Sequence, residues 1–303
     1  MEPQTSKPQR HWNELIITPA IKIAGYSAIL FVIIIFIFLM TEGLPTLREV
    51  PPGDLFQARW YPIESFYGLL PLIGGTILVT LTATLIAVPV GVGTAIYIAE
   101  IAPRWAREIL KPFVEIMAGI PSVVLGFIGI QVLAPNLRVW LDLSTGLTGL
   151  AGALLLAAIS VPTIVSVSED ALDAVPRSFR DASLAMGATR WQTIWRVTMP
   201  AARTGVLTAV MLGIGRAIGE TMTVMMVTGN APIIPTGLGS IFSPIRTMTA
   251  TIAAEMGEVA TGSTHYHVLF FIGIFLFLIS LAVNLTASAV VFRQRKRLER
   301  VLA

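Results

Sequence analysis

The sequence predicts an all-α membrane protein with six transmembrane helices, and three observations predict it. Of 303 residues, 54% are hydrophobic and only 13% are charged, and the mean hydropathy is +0.77, which excludes a soluble domain. Six apolar runs are each long enough to cross a bilayer. Lysine and arginine crowd into alternate loops, so the formal charge of +3 and the pI near 9.4 report orientation rather than a nucleic-acid partner. The chain has no cysteine, which excludes disulfides and thiolate chemistry.

Taken in order, residues 1–20 form a polar tail with Lys7, Arg10 and His11. The first transmembrane helix is expected over 21–41; its apolar core is longer than a secretory signal's, and the exit Thr41-Glu42-Gly43-Leu44-Pro45 lacks a small-residue cleavage site. An outer loop follows over 42–68. The permease-like core is expected over 69–292, with apolar segments at 69–99, 113–134, 147–168, 204–227 and 268–292, and a basic tail over 293–303. Pro71 and Gly74-Gly75 belong near the outer interface, while Pro89 and Gly91 are expected to bend the second span inside the membrane. Arg104, Arg107 and Lys111, five arginines of the loop before the fifth span, and Arg293, Arg295, Lys296, Arg297 and Arg300 all mark the inner side. This pattern puts both termini in the cytoplasm.

The stretch Ser168–Pro200 lies between apolar runs yet carries Glu169, Asp170, Asp173, Arg177, Arg180, Asp181, Arg190 and Arg196, so it is expected in water or against a wet partner. Its punctuation predicts two short helices. Pro176 opens the first, Phe179, Ala182 and Met186 recur at helical spacing, and Gly187 suits a left-handed closing residue. Thr189 with Gln192 is a capping-box pattern for the second, which is expected to end before Pro200 and to expose Trp191 and Trp195. Such a shape fits a partner's groove.

Charge inside the membrane is the other informative signal. Arg216 stands about 18 Å up the fifth helix, where a charge costs about 2.5 to 3.5 kcal/mol on insertion scales. It must therefore face a wet cavity or a partner. Glu220, four residues on, is expected on the same helical face within pairing reach. One reading is a structural ion pair backed by the small face of Gly213, Gly215 and Gly219. The other is an anion station, since a planar guanidinium binds an oxyanion through parallel hydrogen bonds. No lysine follows a glycine, so there is no phosphate loop and any ATP is bound elsewhere. His265 and His267 could ligate a metal, but a solvated outer loop is the preferred reading, and no cofactor or metal is assigned.

Asp181-Ala182-Ser183, Gly187 four positions after Ser183, and Val197-Thr198-Met199-Pro200 after nine further residues resemble the EAA loop of ABC importer permeases, E-A-A-x3-G-x9-I-x-L-P. Asp, Ser, Val and Met replace the usual Glu, Ala, Ile and Leu. The segments 215–224, 228–232, 248–258 and 118–127 are similar to the phosphate-specific ABC permeases of the PstC type. The resemblance implies a type I importer (MetI-like) fold in the bacterial inner membrane, with the loop over 169–200 as a cytoplasmic coupling helix. Asp181, Ala182, Ser183, Gly187, Trp191, Trp195 and Pro200 would couple to the ATPase. Arg216, Glu220 and, alternatively as a mere helix bend, Ser122 would line the substrate path. It also implies a PstA-like permease partner, two PstB-like ATPase subunits that bind the ATP, and a phosphate-binding protein docking on the loop between Gly229 and His267. A sulfate or molybdate permease, the PstA-like partner itself, and a signalling scaffold remain alternatives; an intramembrane enzyme is disfavoured because no nucleophile and base are recognisable.

Overall fold

The computed structural model describes residues 12–302, with side chains at 17–286, 288 and 289. Most of the expected N-terminal tail and the cationic groups of the C-terminal tail lie outside these. Among the described residues, six helices are long and apolar enough to cross a membrane: Ile17–Glu49, Leu70–Ile101, Ser122–Trp140, Gly149–Asp173, Arg190–Gly219 and Thr264–Thr286. They are called here the first to sixth spans.

Spans two, four and five form the centre because their facing residues are small. Ala83, Ala87, Ala153 and Ala157 are almost fully buried where spans two and four cross. Ile164 of span four is wedged between Gly91 and Gly213; a Cβ on either glycine would come within 2.7 Å of its side chain. Lipid offers helices no hydrophobic reward for associating, so this close approach supplies the cohesion. The small face of the fifth span is therefore split. Gly213 packs inward, whereas an added Cβ on Gly215 or Gly219 meets nothing.

Two spans depart from expectation. The run 113–134 is not one helix: an amphipathic helix, Arg104–Gly119, stops at Ile120 and Pro121, and the third span begins at Ser122. Pro121 adopts an extended conformation (ψ 135°) and opens the new helix, as a residue without an N–H can. The run 204–227 is broken as well. The fifth span ends at Gly219, Glu220 is extended (ψ 130°), and a short helix runs over Met222–Val227. These breaks pack together, for the Thr223 hydroxyl donates to the Ser122 carbonyl at 2.8 Å. Non-helical backbone at membrane depth is tolerated only where protein or a wet cavity satisfies it.

One end of the bundle carries the Ser168–Pro200 loop. The fourth span runs on to Asp173, and Glu169, expected in water, is only 2% exposed with Lys111 at 3.4 Å. At the other end, residues 42–68 fold back over the bundle. Trp60–Tyr61 and Phe66–Tyr67 pair as a small antiparallel hairpin. Val50, Leu55, Trp60, Tyr67 and Leu69 form one core with Met248, Leu269 and Ile272. The segment from Gly229 to His267 is likewise built rather than bare. Gly229 bridges to Ile245, and a helix spans Met248–Glu255.

The two histidines expected in a solvated loop are each hydrogen-bonded to a different carboxylate rather than brought to one shared site. His265 Nε2 lies 2.8 Å from Glu255, while His267 Nδ1 lies 2.9 Å from Glu49. Glu255 also pairs with Arg246 and accepts from the Trp60 indole at 3.2 Å. Burial opposes its ionisation, but His265, Arg246 and Trp60 together overcome this and hold its pKa below the ordinary carboxylate value. A carboxylate with a lowered folded pKa adds stability that is complete above its unfolded pKa and is lost as pH falls through the folded value. Glu255→Gln should lower stability by about 2 to 3 kcal/mol at neutral pH. The difference between wild type and variant should shrink as pH falls below the ordinary value of 4.5. Thermal unfolding of both proteins from pH 7 to pH 3 checks this; a constant difference would contradict it.

Candidate functional site

Arg216 occupies the last turn of the fifth span, where the helix dipole favours a cation. Its side chain is exposed on the surface of the chain. One guanidinium nitrogen donates to the Thr163 hydroxyl at 3.0 Å, and the other reaches the Ala118 carbonyl at 3.5 Å. Thr163 lies in the middle third of the fourth span, Gly149–Asp173, so the guanidinium is level with the middle of that helix. Thr163 and Ala118 are neutral, so they orient the cation without neutralising it.

Glu220 does not pair with Arg216. The expected four-residue face is lost because the helix ends at Gly219, and the extended backbone turns the side chain away. Its carboxylate instead accepts from the Thr223 backbone N–H at 3.4 Å, capping the helix Met222–Val227. Thr249 donates to its carbonyl at 3.0 Å, and Thr76, Thr80 and Thr247 line the small space beside it. Ser122 sits at the adjacent break, partly exposed, with its carbonyl taken by Thr223. Arg216, Ser122 and Glu220 thus lie along one seam between two broken helices, with the two charges parted. Thr163 went unnoticed in the sequence, where it is a common residue 53 positions from Arg216; only the packing of the fourth span brings it to the seam.

The loop at the end of the bundle folds as its punctuation predicts, with one exception. Its first helix is Arg177–Ala185, opened by Pro176, and Gly187 takes the left-handed φ of +85° that reverses the chain. Thr189 and Gln192 form the full capping box of a second helix starting at Arg190. That helix does not stop before Pro200. A widened π-turn over Ile194–Thr198 leads it on into the α-helix Met199–Gly219 of the same span, with Pro200 in that α-helix's first turn, where its missing N–H is tolerated. Asp181, Ala182 and Ser183 lie on the first helix, and the Ser183 hydroxyl meets that of Thr193 at 3.0 Å, locking the two helices together. Trp191 and Trp195 stack edge to face at 5.7 Å and are 59% and 49% exposed, beside exposed Phe179 and Met186. With Leu184, five large apolar side chains are left exposed on an otherwise charged loop.

Residues 87–300 match the family model described as binding-protein-dependent transport system inner membrane component. "Probable ABC transporter permease protein YqgH" of Bacillus subtilis (strain 168) is 42% identical over 249 residues, covering 80% of each chain. "Phosphate transport system permease protein PstC" of Mesorhizobium japonicum is 37% identical, covering 79% of this chain and 78% of that one. Among solved structures, the MetNI methionine ABC transporter in an inward-facing form superposes with a TM-score of 0.58 at 19% identity, covering 78% of this chain and 99% of that one. A bacterial ABC transporter importing alginate also gives 0.58, at 17% identity, covering 92% and 99%. These two likenesses support the fold alone.

The separation of Arg216 from Glu220 predicts that they contribute independently to the stability of this conformation. In a double-mutant cycle of Arg216→Gln and Glu220→Gln, read by unfolding of the solubilised protein, the coupling energy should lie within about 0.5 kcal/mol of zero. A clearly larger value would restore the structural ion pair.

Proposed function

The chain belongs to the binding-protein-dependent transport system inner membrane component family, and from that premise we propose that it is a permease subunit of an ATP-driven inorganic phosphate importer. The observation that carries the proposal is the exposed guanidinium of Arg216, held by a hydroxyl and a carbonyl level with the middle of the fourth span, with no carboxylate among the described residues in ion-pair reach. A planar cation so placed binds an oxyanion through two parallel charge-assisted hydrogen bonds. Relatives named as phosphate transport permeases supply the identity of the anion.

The chain works as one half of a path closed by a second, PstA-like permease, which covers the face bearing Arg216, Gly215 and Gly219. Two PstB-like ATPases bind ATP and seat the loop Arg177–Thr193, with Asp181 and the exposed Trp191 and Trp195 in their cleft. An extracytoplasmic phosphate-binding protein docks at the opposite end, on the layer built from residues 42–68 and 229–267. In this orientation the basic loops and both termini lie in the cytoplasm, and the protein resides in the bacterial inner membrane.

Transport proceeds by alternating access. ATP closes the nucleotide-binding dimer, the loop helices carry that movement into the spans, and the pair opens outward to take phosphate from the binding protein. Arg216 holds the anion at mid-membrane until hydrolysis returns the pair to the inward-open state. Glu220, on the same seam, acts as a selectivity element in the state of the cycle that brings its carboxylate from the Thr223 N–H to the anion. A carboxylate accepts a hydrogen bond only from an anion that still bears a proton, which favours hydrogenphosphate over sulfate.

Cells carrying the assembled complex should take up radiolabelled phosphate at limiting concentration, with sulfate and molybdate failing to compete. Arg216→Gln should reduce uptake on the order of a hundredfold, the scale of losing about 3 kcal/mol from a charge-assisted contact. Unchanged uptake would remove Arg216 from the path, and competition by sulfate would replace phosphate as the substrate. Glu220→Gln should weaken discrimination against sulfate; unchanged discrimination would contradict the proton-sensing role.

A further inference from the structure

The end of the second span, the end of the fourth and the first loop helix meet at one side chain. Arg180 of the helix Arg177–Ala185 donates from Nε to Glu100 at 3.0 Å and from Nη2 to the same carboxylate at 2.7 Å. Its other donors reach the Leu172 carbonyl at 2.8 Å, in the last turn of the fourth span, and the Val175 carbonyl at 2.6 Å, in the connection just beyond it. The pair is largely buried, with side-chain exposures of 18% for Arg180 and 8% for Glu100. Glu100 belongs to a π-turn, Tyr97–Ile101, that closes the second span. The same turn is gripped from its other side by Arg107, which donates to the carbonyls of Ile98 and Ala99.

Between the fourth span and the loop helix the chain has only Ala174, Val175 and Pro176. With no cross-link, that connection is a hinge, and a push on the loop helix would be absorbed there. The guanidinium removes the hinge. It closes the Leu172 carbonyl of the fourth span and the Val175 carbonyl of the connection, and joins them to the second span through a fork geometry that a lysine cannot reproduce. Beneath it, Ile98, Leu172, Val175 and Ile194 form one buried core.

We propose that Arg180, paired with Glu100, is the positioning residue that makes the loop helix move as one body with the second and fourth spans, so that ATPase movement is converted into transport. The proposal rests on the reading of the chain as an ATP-driven importer subunit and assigns a transmission role to residues outside both the substrate seam and the apolar docking face. Transmission through a two-state packed element is the physical requirement for such coupling.

The test uses the whole complex, with its partner permease, ATPases and binding protein, reconstituted in liposomes. Phosphate uptake and ATP hydrolysis are measured on the same preparation. For Arg180→Gln, and for the double variant Glu100→Gln with Arg180→Gln, which leaves no buried charge unpaired, the complex should assemble and hydrolyse ATP. Phosphate moved per ATP should fall about tenfold. Arg180→Lys, which keeps the charge but not the fork, should fall between these variants and wild type, and it carries the test if the glutamine variants fail to assemble. A ratio equal to wild type in the lysine variant and in every glutamine variant that assembles, whether because both rates are unchanged or because both fall in proportion, would overturn the proposal. Absence of phosphate uptake by the wild-type complex would instead overturn the importer reading, and the clamp with it.

Discussion

A guanidinium at the middle of a membrane must be solvated by something other than lipid, and the arrangement of this chain follows from that demand. For Arg216 the fold has to supply hydrogen-bond acceptors and water. Thr163 and the Ala118 carbonyl supply two fixed acceptors. The carbonyl at Ala118 lies at the very end of a helix because Pro121 stops the Arg104–Gly119 helix. The second break, at Glu220, lies against the first. The Thr223 hydroxyl of the second satisfies the Ser122 carbonyl of the first.

The two ends of the bundle solve different problems. At the hairpin end, charge is tied down: Glu255 serves His265, Arg246 and Trp60, and a core of large apolar side chains covers the ends of spans two and six. At the loop end, the charges divide by task. Arg180 and Glu100 are buried and knit three elements, while Trp191, Trp195, Phe179 and Met186 remain uncovered. A loop that buries Arg180 but leaves its indoles exposed is shaped for a partner, with stiffness beneath the contact.

What could be read from the sequence was local. Gly187, Thr189 and Gln192 fixed the turn and cap of the loop because those conformations depend on neighbours one to three residues away. Six spans and the charge of Arg216 stood out against apolar surroundings. The helix break at Glu220 did not, because no proline marks it; its carbonyl is held by Thr249, which arrives from a separate segment 29 residues on. The Arg180–Glu100 pair spans 80 residues of sequence, and the Trp60–Glu255 contact spans 195. Helical spacing put Glu220 beside Arg216, and tertiary packing overrode it.

The most direct measurement concerns the wetness of the seam. The chain has no cysteine of its own, so a single introduced thiol reports its surroundings. Gly219→Cys suits the purpose, because an added Cβ there meets nothing within 4 Å. In the assembled complex, a membrane-impermeant anionic methanethiosulfonate should modify Gly219→Cys readily and more slowly when phosphate is present, while Ile33→Cys, on the exposed face of the first span, stays unmodified. A Gly219→Cys thiol as inert as that at Ile33, in every nucleotide state, would mean that the face of Arg216 is dry and that no anion path runs beside it.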